Sequence, residues 1–384
     1  MPAGAADRQH RGAPACGAMP GTHRMASPRR AAALPPRQTI RSWLHEFRTR
    51  STPRALALSA FDFALYAALM SAVVVLPSLF AKLLAGLAAG LVIGRLFILG
   101  HDACHQSFTP RKRLNQVLGR LLFLPSLTPY SLWEVGHNVV HHGYTNLKGF
   151  DFVWAPLTPA EYRALPSWRR ALERLYRSGW APGLYYLVEI WWLRMFFPGA
   201  RYLKAQRRAF VWDGLLVSAY ALAWIGGLVA AAALTAQPAW SLLLCGFAVP
   251  FLAWNTLIGF VVYAHHTHPR IRWYADKTQW AAAAPFVSTT VHLRMPGGLG
   301  GVLHHILEHT AHHVDMGIPL YGLTPAQRRL EAALPGSIVV QRFSWKWYFA
   351  TARHCRLFDL DEGRWTDYDG VPRRPGLATA TSPR

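Results

Sequence analysis

Four long apolar segments constrain the fold of this chain more than any other feature of its sequence. A helix needs about 20 apolar residues to cross the roughly 30 Å hydrocarbon core of a bilayer. Such segments cover approximately residues 56–80, 83–100, 210–235 and 240–264, and they contain few charged residues. The chain has 52% hydrophobic and 16% charged residues and 16 Trp, a residue enriched at membrane interfaces. The sequence therefore predicts four transmembrane helices.

The distribution of Lys and Arg predicts how these helices are oriented. Of the 41 basic residues, 10 precede residue 55, 15 lie between residues 101 and 208, and 14 follow residue 264. The turn TAQPAW between the third and fourth segments has none. Because cytoplasmic connections carry the excess of positive charge, both termini and the middle region are predicted to be cytoplasmic. The expected fold is an all-α, multi-pass membrane protein with two transmembrane hairpins and a cytosolic helical cap, in the inner membrane if bacterial.

Two basic residues remain, Lys82 in the first turn and Arg95 near the end of the second segment. A charge within a span often marks function. Arg95 lies about six residues before His101, so its side chain is expected to snorkel to the cytoplasmic interface.

Histidines are concentrated in the regions predicted to be cytosolic. Fourteen of the 18 lie at 101–142 or 265–313, and the other four are interpreted as ordinary surface or core residues. In HDACH, HNVVHH and HTAHH, helical spacing puts histidines three and four residues apart on one face. Neutral imidazole binds iron, copper, zinc and nickel, and eight or more converging nitrogens exceed what one ion can use. These motifs predict a site for two metal ions.

Charge and cysteine content exclude two other classes. The net charge of +22 lies in three segments next to apolar spans. Attraction to anionic lipid headgroups explains this distribution better than phosphate binding, so no nucleic-acid partner is predicted. The four cysteines are far apart and form no CxxC pair, which argues against a disulfide framework or a thiolate metal site.

The two ends of the chain differ in composition from the rest. Residues 1 to about 38 are rich in Ala, Gly, Pro and Arg, and they are predicted to be disordered. The expected organisation is a basic N-terminal segment with an interfacial lead-in at 1–54, a membrane domain at 55–370 and a flexible tail at 371–384.

In their order and spacing, the three histidine motifs resemble those of the integral-membrane fatty acid desaturases. The segments GHNVVHHGYTN, YAHHTHP and LEHTAHHVDMGIPLYGL are most similar to the branch that contains the delta-12 (omega-6) enzymes. The resemblance covers about residues 55–370. It implies two iron ions held mainly by histidines, and O2-dependent removal of two hydrogens from an acyl chain, giving a second double bond.

Matched by motif, the resemblance implies eight metal ligands and a ninth near the end of the fourth apolar segment. His266 is the predicted ninth ligand, and His265, His268, His292 and His304 are the alternatives. The eight matched residues are His101, His105, His137, His141, His142, His309, His312 and His313.

Carboxylates next to the motifs are candidates for orienting these histidines. A ligating imidazole usually donates its second N–H to an acceptor such as a carboxylate. The candidate acceptors are Asp102, Glu134, Asp151, Glu308 and Asp315.

The implied chemistry also limits cofactors and partners. An unactivated methylene offers no acid or leaving group, so a redox metal must carry the step and no separate side-chain acid or base is assigned. The chain has neither the HPGG motif of a fused cytochrome b5 domain nor an iron–sulfur cysteine pattern. Electrons are therefore expected from a separate ferredoxin-like or cytochrome b5-like carrier, and the substrate is expected to be an acyl-lipid or an acyl-thioester.

Two other functions remain open at this point. One is a di-iron hydroxylase or ketolase of the same superfamily, acting on an alkane, a sphingolipid or a carotenoid. The other is a metal transporter, which would need polar residues along its spans near the membrane midplane. The four segments offer little of that kind beyond Asn255.

Overall fold

The computed structural model describes residues 34–196 and 208–373. Among them, four helices are long and apolar enough to cross a membrane: Thr52–Val75, Leu79–Cys104, Arg208–Leu234 and Ala239–His266. These are called the first to fourth spanning helices below. They coincide with the four predicted segments to within a few residues, which confirms the predicted number and position of the long apolar helices. The second and fourth run further than expected, so the last turn of each contains a histidine of the motifs.

Local sequence explains where the first two spanning helices begin. The hydroxyl groups of Ser51 and Ser78 accept hydrogen bonds from the backbone N–H groups of Arg54 and Ala81. A serine at this position satisfies one of the N–H groups that a helix leaves without an internal partner. The fourth spanning helix contains a π-helical stretch at Leu244–Ala248 between α-helical parts.

The remaining described elements are short. The shorter α-helices are Arg37–Ser42, Lys112–Phe123, Tyr130–Glu134, His142–Tyr144, Pro159–Ala164, Ser167–Tyr176, Pro182–Tyr185, Lys277–Ala282, Pro285–Ser288, His309–Val314, Leu323–Ala333 and Trp345–His354. The other π-helices are Val135–His141 and Tyr186–Phe196, and the 3-10 helices are His45–Arg48, Leu124–Ser126, Pro296–Leu303 and Leu320–Gly322. Strand β1 (Val291–Arg294) pairs in parallel with β2 (Val339–Arg342), and β3 (Leu357–Asp359) pairs antiparallel with β4 (Arg364–Thr366).

The second spanning helix is the most buried of the four. In its apolar window 67% of residues are buried, against 17% in the first and third helices. Its glycines let the fourth helix approach closely: a Cβ at Gly86 would collide with the carbonyl oxygen of Cys245, and one at Gly90 with Ala253 and Pro250. Small residues that permit such backbone contact are typical of helix packing in membranes.

The predicted disorder over residues 1–38 lies almost entirely outside the described residues, as does most of the predicted C-terminal tail. The lead-in before the first spanning helix is packed: Ile40 and Leu44 are fully buried. The Arg37 side chain donates hydrogen bonds to the carbonyl oxygens of His313 and Val314 at 2.7 and 3.2 Å. This lead-in therefore contacts the third histidine motif directly.

Two charges within the spanning helices form an ion pair, and this corrects the expectation for Arg95. The Nε and Nη2 atoms of Arg95 donate to Oδ1 of Asp62 at 2.9 and 2.7 Å. The other oxygen of Asp62 lies 2.6 Å from Nε2 of His304. Asp62 is fully buried, and a buried carboxylate requires a charged or hydrogen-bonding partner. Arg95 therefore joins the first two spanning helices instead of snorkelling alone.

At the opposite end of the spanning helices, Lys82 connects two turns. Its Nζ donates to the carbonyl oxygen of Val73 at 2.7 Å and to Oε1 of Gln237 at 2.5 Å. Gln237 in turn donates to the carbonyl oxygen of Val74 at 2.7 Å. The turn after the first spanning helix thus contacts the turn after the third.

The Asp62–Arg95 pair predicts a large effect on stability. Replacing Asp62 by Asn leaves the guanidinium of Arg95 partly buried without a counter-charge, which costs about 3–5 kcal/mol. We expect Asp62→Asn to lower the thermal unfolding midpoint of the purified, detergent-solubilised protein by several degrees. The control is Glu362→Gln, which removes an exposed pair with Arg364 and should leave the midpoint unchanged. Equal midpoints for the wild type and Asp62→Asn would contradict the assignment.

Candidate metal centre

Four parts of the fold bring the histidine motifs together. His101 lies in the last turn of the second spanning helix, and His105 follows its end. His266 is the last residue of the fourth spanning helix. The third motif forms the short helix His309–Val314, in which His309 and His313 are four residues apart on one face.

The second motif is a π-helix, not the α-helix that its spacing suggested. Residues Val135–His141 have π-helical hydrogen bonding, in which residues five apart are neighbours. Consequently Nε2 of His142 lies 3.0 Å from Nε2 of His137. His141 points elsewhere, and its Nε2 lies 3.2 Å from that of His266.

The nine predicted histidines form two separate groups, and every member offers a ring nitrogen within 4.8 Å of the others in its group. Cluster A contains five of them: His101, His105, His137, His142 and His312. Cluster B contains the other four: His141, His266, His309 and His313. Two pairs of sequence neighbours, 141–142 and 312–313, are divided between the clusters. The two sites therefore share two short stretches of backbone.

The spacing of the nitrogens fits a metal ion in each cluster. Neighbouring Nε2 atoms are 3.0–3.2 Å apart in cluster A and 2.9–3.2 Å apart in cluster B. Nitrogen ligands about 2.1 Å from an ion and roughly at right angles are about 3.0 Å apart. An all-imidazole donor set suits iron, copper, zinc or nickel.

Burial keeps these imidazoles in the form that binds metals. Desolvation lowers the pKa of His105, His137 and His142 well below its ordinary value, and the neighbouring imidazoles lower it further. The same causes lower the pKa of His309, His312 and His313. Neutral imidazole has a free nitrogen lone pair, so no proton has to be displaced before an ion binds.

The second ring nitrogens are held differently in the two clusters. In cluster B, Nδ1 of His141 lies 3.1 Å from Oδ1 of Asp151, and Nδ1 of His266 lies 3.2 Å from the carbonyl oxygen of Thr289. In cluster A, the Nδ1 atoms of His101, His105, His142 and His312 have no hydrogen-bond partner among the described residues. In cluster B, Nδ1 of His309 also has no hydrogen-bond partner among the described residues, so only part of this cluster has its rings oriented in this way.

Of the flanking carboxylates, Asp151 is hydrogen-bonded to a cluster histidine as expected, whereas Asp102, Glu308 and Asp315 are not. Besides His141, Asp151 accepts backbone hydrogen bonds from Asn146 and Val153 at 2.9 and 3.0 Å. Asp102 lies 3.6 Å from Nδ1 of His101, too far for a hydrogen bond.

Two of the other candidates pair elsewhere. Glu308 contacts His305 and Thr324, and Asp315 pairs with Arg41 and Arg48. Arg41 and Arg48 are distant from Asp315 in sequence, so no local pattern identified that pairing.

The four alternatives to His266 belong to neither cluster. His265 stacks on His309 with ring centroids 3.8 Å apart. Nδ1 of His268 accepts the N–H of Arg270 at 3.1 Å, and Nδ1 of His292 lies 2.5 Å from Glu331. His304 binds Asp62, as described above.

A narrow apolar cavity of about 60 Å³ adjoins both clusters. It is lined by aromatic and branched side chains together with histidines of each cluster. Trp133 stacks on His137 at a centroid distance of 3.9 Å, so an apolar surface lies directly beside cluster A. Residues of the cavity wall include Phe97, Trp133, Tyr186, Ile258, Val261 and Ile306.

Two residues that the sequence analysis did not single out hold the motifs in place. Asp213, near the start of the third spanning helix, accepts hydrogen bonds from Nε of Arg120 and from the backbone N–H of Ser131 at 2.7 and 2.9 Å. Ser131 precedes the π-helix of the second motif. Oε1 of Gln327 accepts the backbone N–H of Ala311, inside the third motif, at 2.8 Å. The sequence contained a signal for Asp213 only, because this carboxylate lies within an apolar segment.

Comparisons with known proteins agree with the site. The sn-1 oleoyl-lipid 12-desaturase of Picosynechococcus sp. is 29% identical over 277 residues, which cover 71% of this chain and 75% of that protein. The sn-1 acyl-lipid omega-3 desaturase (ferredoxin) of Nostoc sp. is 29% identical, with 65% and 67% covered. The chloroplastic omega-6 fatty acid desaturase of Spinacia oleracea is 27% identical, with 71% and 58% covered.

The resemblance to omega-6 and delta-12 desaturases is thereby confirmed. The model of the family described as "Fatty acid desaturase" matches residues 77–345, well over half of the chain. This chain belongs to the fatty acid desaturase family, and it is an oxidoreductase.

Proposed function

We propose that this protein inserts a second double bond into a monounsaturated acyl chain of a membrane lipid, at a centre of two iron ions. The observation that carries the proposal is the pair of histidine clusters opening onto one apolar cavity. Bound iron would supply the O2-dependent redox chemistry that an unactivated methylene requires. Zinc would bind similar ligands but has no redox chemistry.

The residues of this chain hold the ions and orient the substrate. All nine histidines would be ligands, five in cluster A and four in cluster B. Asp151 would keep the His141 ring in one orientation by accepting its second N–H. The apolar wall would exclude water and position one methylene beside the clusters, and positioning of that kind determines which bond reacts.

The names of the relatives support an acyl-lipid substrate over an acyl-thioester. The Picosynechococcus protein is named for an oleoyl-lipid and the 12 position, and the Nostoc protein for an acyl-lipid. We therefore propose delta-12 desaturation of an oleoyl group.

A ferredoxin-like carrier is the proposed electron donor, because the Nostoc relative's name includes ferredoxin. A cytochrome b5-like protein is the second candidate. Either carrier would be attracted to the positive charge of the regions around the histidine motifs.

The proposed topology has two transmembrane hairpins, with the histidine clusters and both termini in the cytosol. The placement of basic residues supports it. The contact of Lys82 with Gln237 also supports it, because this contact lies at the opposite end of the spanning helices from the clusters. The membrane domain would include the packed lead-in from Arg37 and extend to about residue 370.

Lipid analysis tests the activity. Expression in a host that makes oleoyl lipids but no polyunsaturated lipids should give a diunsaturated chain, two hydrogens lighter, with the new bond at the delta-12 position. His105→Ala, His141→Ala and His312→Ala should each abolish this product and reduce bound iron, because each removes a nitrogen from a cluster. The measurements are gas chromatography with double-bond localisation and metal analysis of the purified protein.

The exposed His45 provides the matched control, and His45→Ala should retain full activity and iron. Full activity in two of the three cluster variants would contradict a shared site. A product that gains oxygen would instead identify a hydroxylase, and a bond only at the delta-9 position would refute the proposed regiochemistry.

The hydrogen bond between Asp151 and His141 predicts a graded effect. Asp151→Asn removes the charge that orients the imidazole, so we expect activity and iron affinity to fall by about 10–100-fold. Glu161→Gln, at a carboxylate that pairs with Lys148, is the control and should behave as wild type. Unchanged iron content and activity in Asp151→Asn would show that this carboxylate has no role in the centre.

Single-cysteine labelling tests the topology. Cys104, Cys245 and Cys355 are buried, so only Cys16 needs replacing, by Ser. Cysteine introduced at Ala236, in the turn after the third spanning helix, should react in intact cells with a membrane-impermeant maleimide. Cysteine at Ala332, which is also exposed, should react only after the cells are permeabilised. The reverse pattern would invert the proposed orientation.

A further inference from the structure

A second cavity, of about 490 Å³, lies between the helices Ser167–Tyr176 and Trp345–His354. It shares no lining residue with the apolar cavity beside the metal clusters. Four arginines contribute to its wall: Arg174, Arg177, Arg353 and Arg356. The proposed desaturation reaction uses none of them.

The guanidinium groups of this arginine pocket are only partly neutralised. Arg177 is buried and lies 3.4 Å from Glu173, and the hydrogen bond to Tyr162 and, more weakly, the charge of Asp369 raise the pKa of Arg174. Arg353 and Arg356 form no ion pair with any residue that the structure describes. The pocket therefore has a surplus of about two positive charges.

Tyr368 organises the arginines around the cavity. The guanidinium carbons of Arg174 and Arg356 lie 5.2 and 5.0 Å from the centre of its ring. Nε of Arg174 also donates to the hydroxyl of Tyr162 at 2.7 Å. Such contacts fix the planes of the guanidinium groups while leaving N–H donors directed away from the ring.

The mouth of the pocket carries features of a membrane interface. Trp180 is 79% exposed and packs on Phe349 with ring centroids 4.6 Å apart. On the same helix as Phe349, the exposed Trp345 and the buried Tyr348 contact Phe260. Phe260 belongs to the last two turns of the fourth spanning helix, so the pocket lies at the level where that helix leaves the bilayer. Exposed tryptophans gather at this level.

From these observations we infer that the arginine pocket binds the phosphate of an anionic phospholipid headgroup from the cytosolic leaflet. Guanidinium groups bind phosphate oxygens through paired, charge-assisted hydrogen bonds. Basic pockets at this depth on the cytoplasmic side of a membrane protein are suited to lipid headgroups. The bound lipid is distinct from the acyl chain in the apolar cavity, and its role is to anchor the cytosolic helices to the membrane.

Other anions fit the pocket less well. Binding of free phosphate does not explain why Trp180 is exposed at the mouth of the pocket. An acidic electron carrier would need to insert a side chain between two helices, whereas a headgroup on a flexible lipid reaches the cavity directly from the bilayer.

Lipid binding to the purified full-length protein, in an uncharged detergent, tests the inference. The probes are dioleoyl phosphatidylglycerol and an uncharged glycosyl diacylglycerol with the same chains, measured by native mass spectrometry and by the shift in thermal midpoint. We expect phosphatidylglycerol to bind at least about tenfold more tightly, because one charge-assisted hydrogen bond is worth about that factor. Arg353→Gln/Arg356→Gln should remove this preference.

The matched control is Arg328→Gln/Arg329→Gln, which removes two exposed charges from the helix Leu323–Ala333 and should keep the preference. Arg353→Gln alone guards against misfolding, because the Arg353 side chain has no hydrogen bond or ion pair within the described residues. This variant should weaken binding severalfold at an unchanged midpoint without lipid.

Three results would overturn the inference. The first is equal binding of the two lipids to the wild-type protein. The second is inorganic phosphate that stabilises the lipid-free protein as strongly as phosphatidylglycerol does. The third is a double variant that raises the KM for reduced ferredoxin tenfold while retaining its preference for phosphatidylglycerol, which would make the pocket a carrier-docking site.

Discussion

Nine imidazoles, seven of them buried and two half-buried, direct nitrogen atoms at two small volumes, and the rest of the fold depends on holding them there. Converging nitrogen lone pairs repel one another, and burial prevents water from relieving that repulsion. The protein counters it by placing each histidine at the end of a helix or on a short helix whose backbone is fixed elsewhere. Metal binding would then stabilise an arrangement that the helices impose.

The fixed points lie in the spanning helices and their connections. Asp62 joins the first two spanning helices and His304 through one buried carboxylate. Asp213 joins the third spanning helix to the segment that leads into the second motif. Close packing of the second and fourth helices over Gly86 and Gly90 sets the separation of their histidine-bearing ends. Interactions along the spanning helices thus determine the geometry at their histidine-bearing ends.

The sequence was sufficient to predict the four spanning helices and to identify the nine histidines that converge. Apolar length is a local property, and spacing of three or four residues identifies one face of a helix. Local patterns did not distinguish His266 from His265, because adjacent residues differ only in the helical phase of a segment whose neighbours are unknown.

Features that depend on distant partners were missed. His304 lies 242 residues from Asp62 in sequence, so no local pattern connects them or explains Arg95. The π-helix at Val135–His141 also departs from the assumed α-helical spacing. That departure decides which histidine of the second motif joins which cluster.

The division of neighbouring histidines between the clusters has a mechanical consequence. His141 and His142 are joined by a single peptide unit, as are His312 and His313, yet each pair serves both sites. The separation of the two sites is therefore limited by covalent geometry, which cannot stretch, and is less sensitive to shifts of the helices. Ordering one site also orders two histidines of the other, so the two proposed ions should bind cooperatively instead of one at a time.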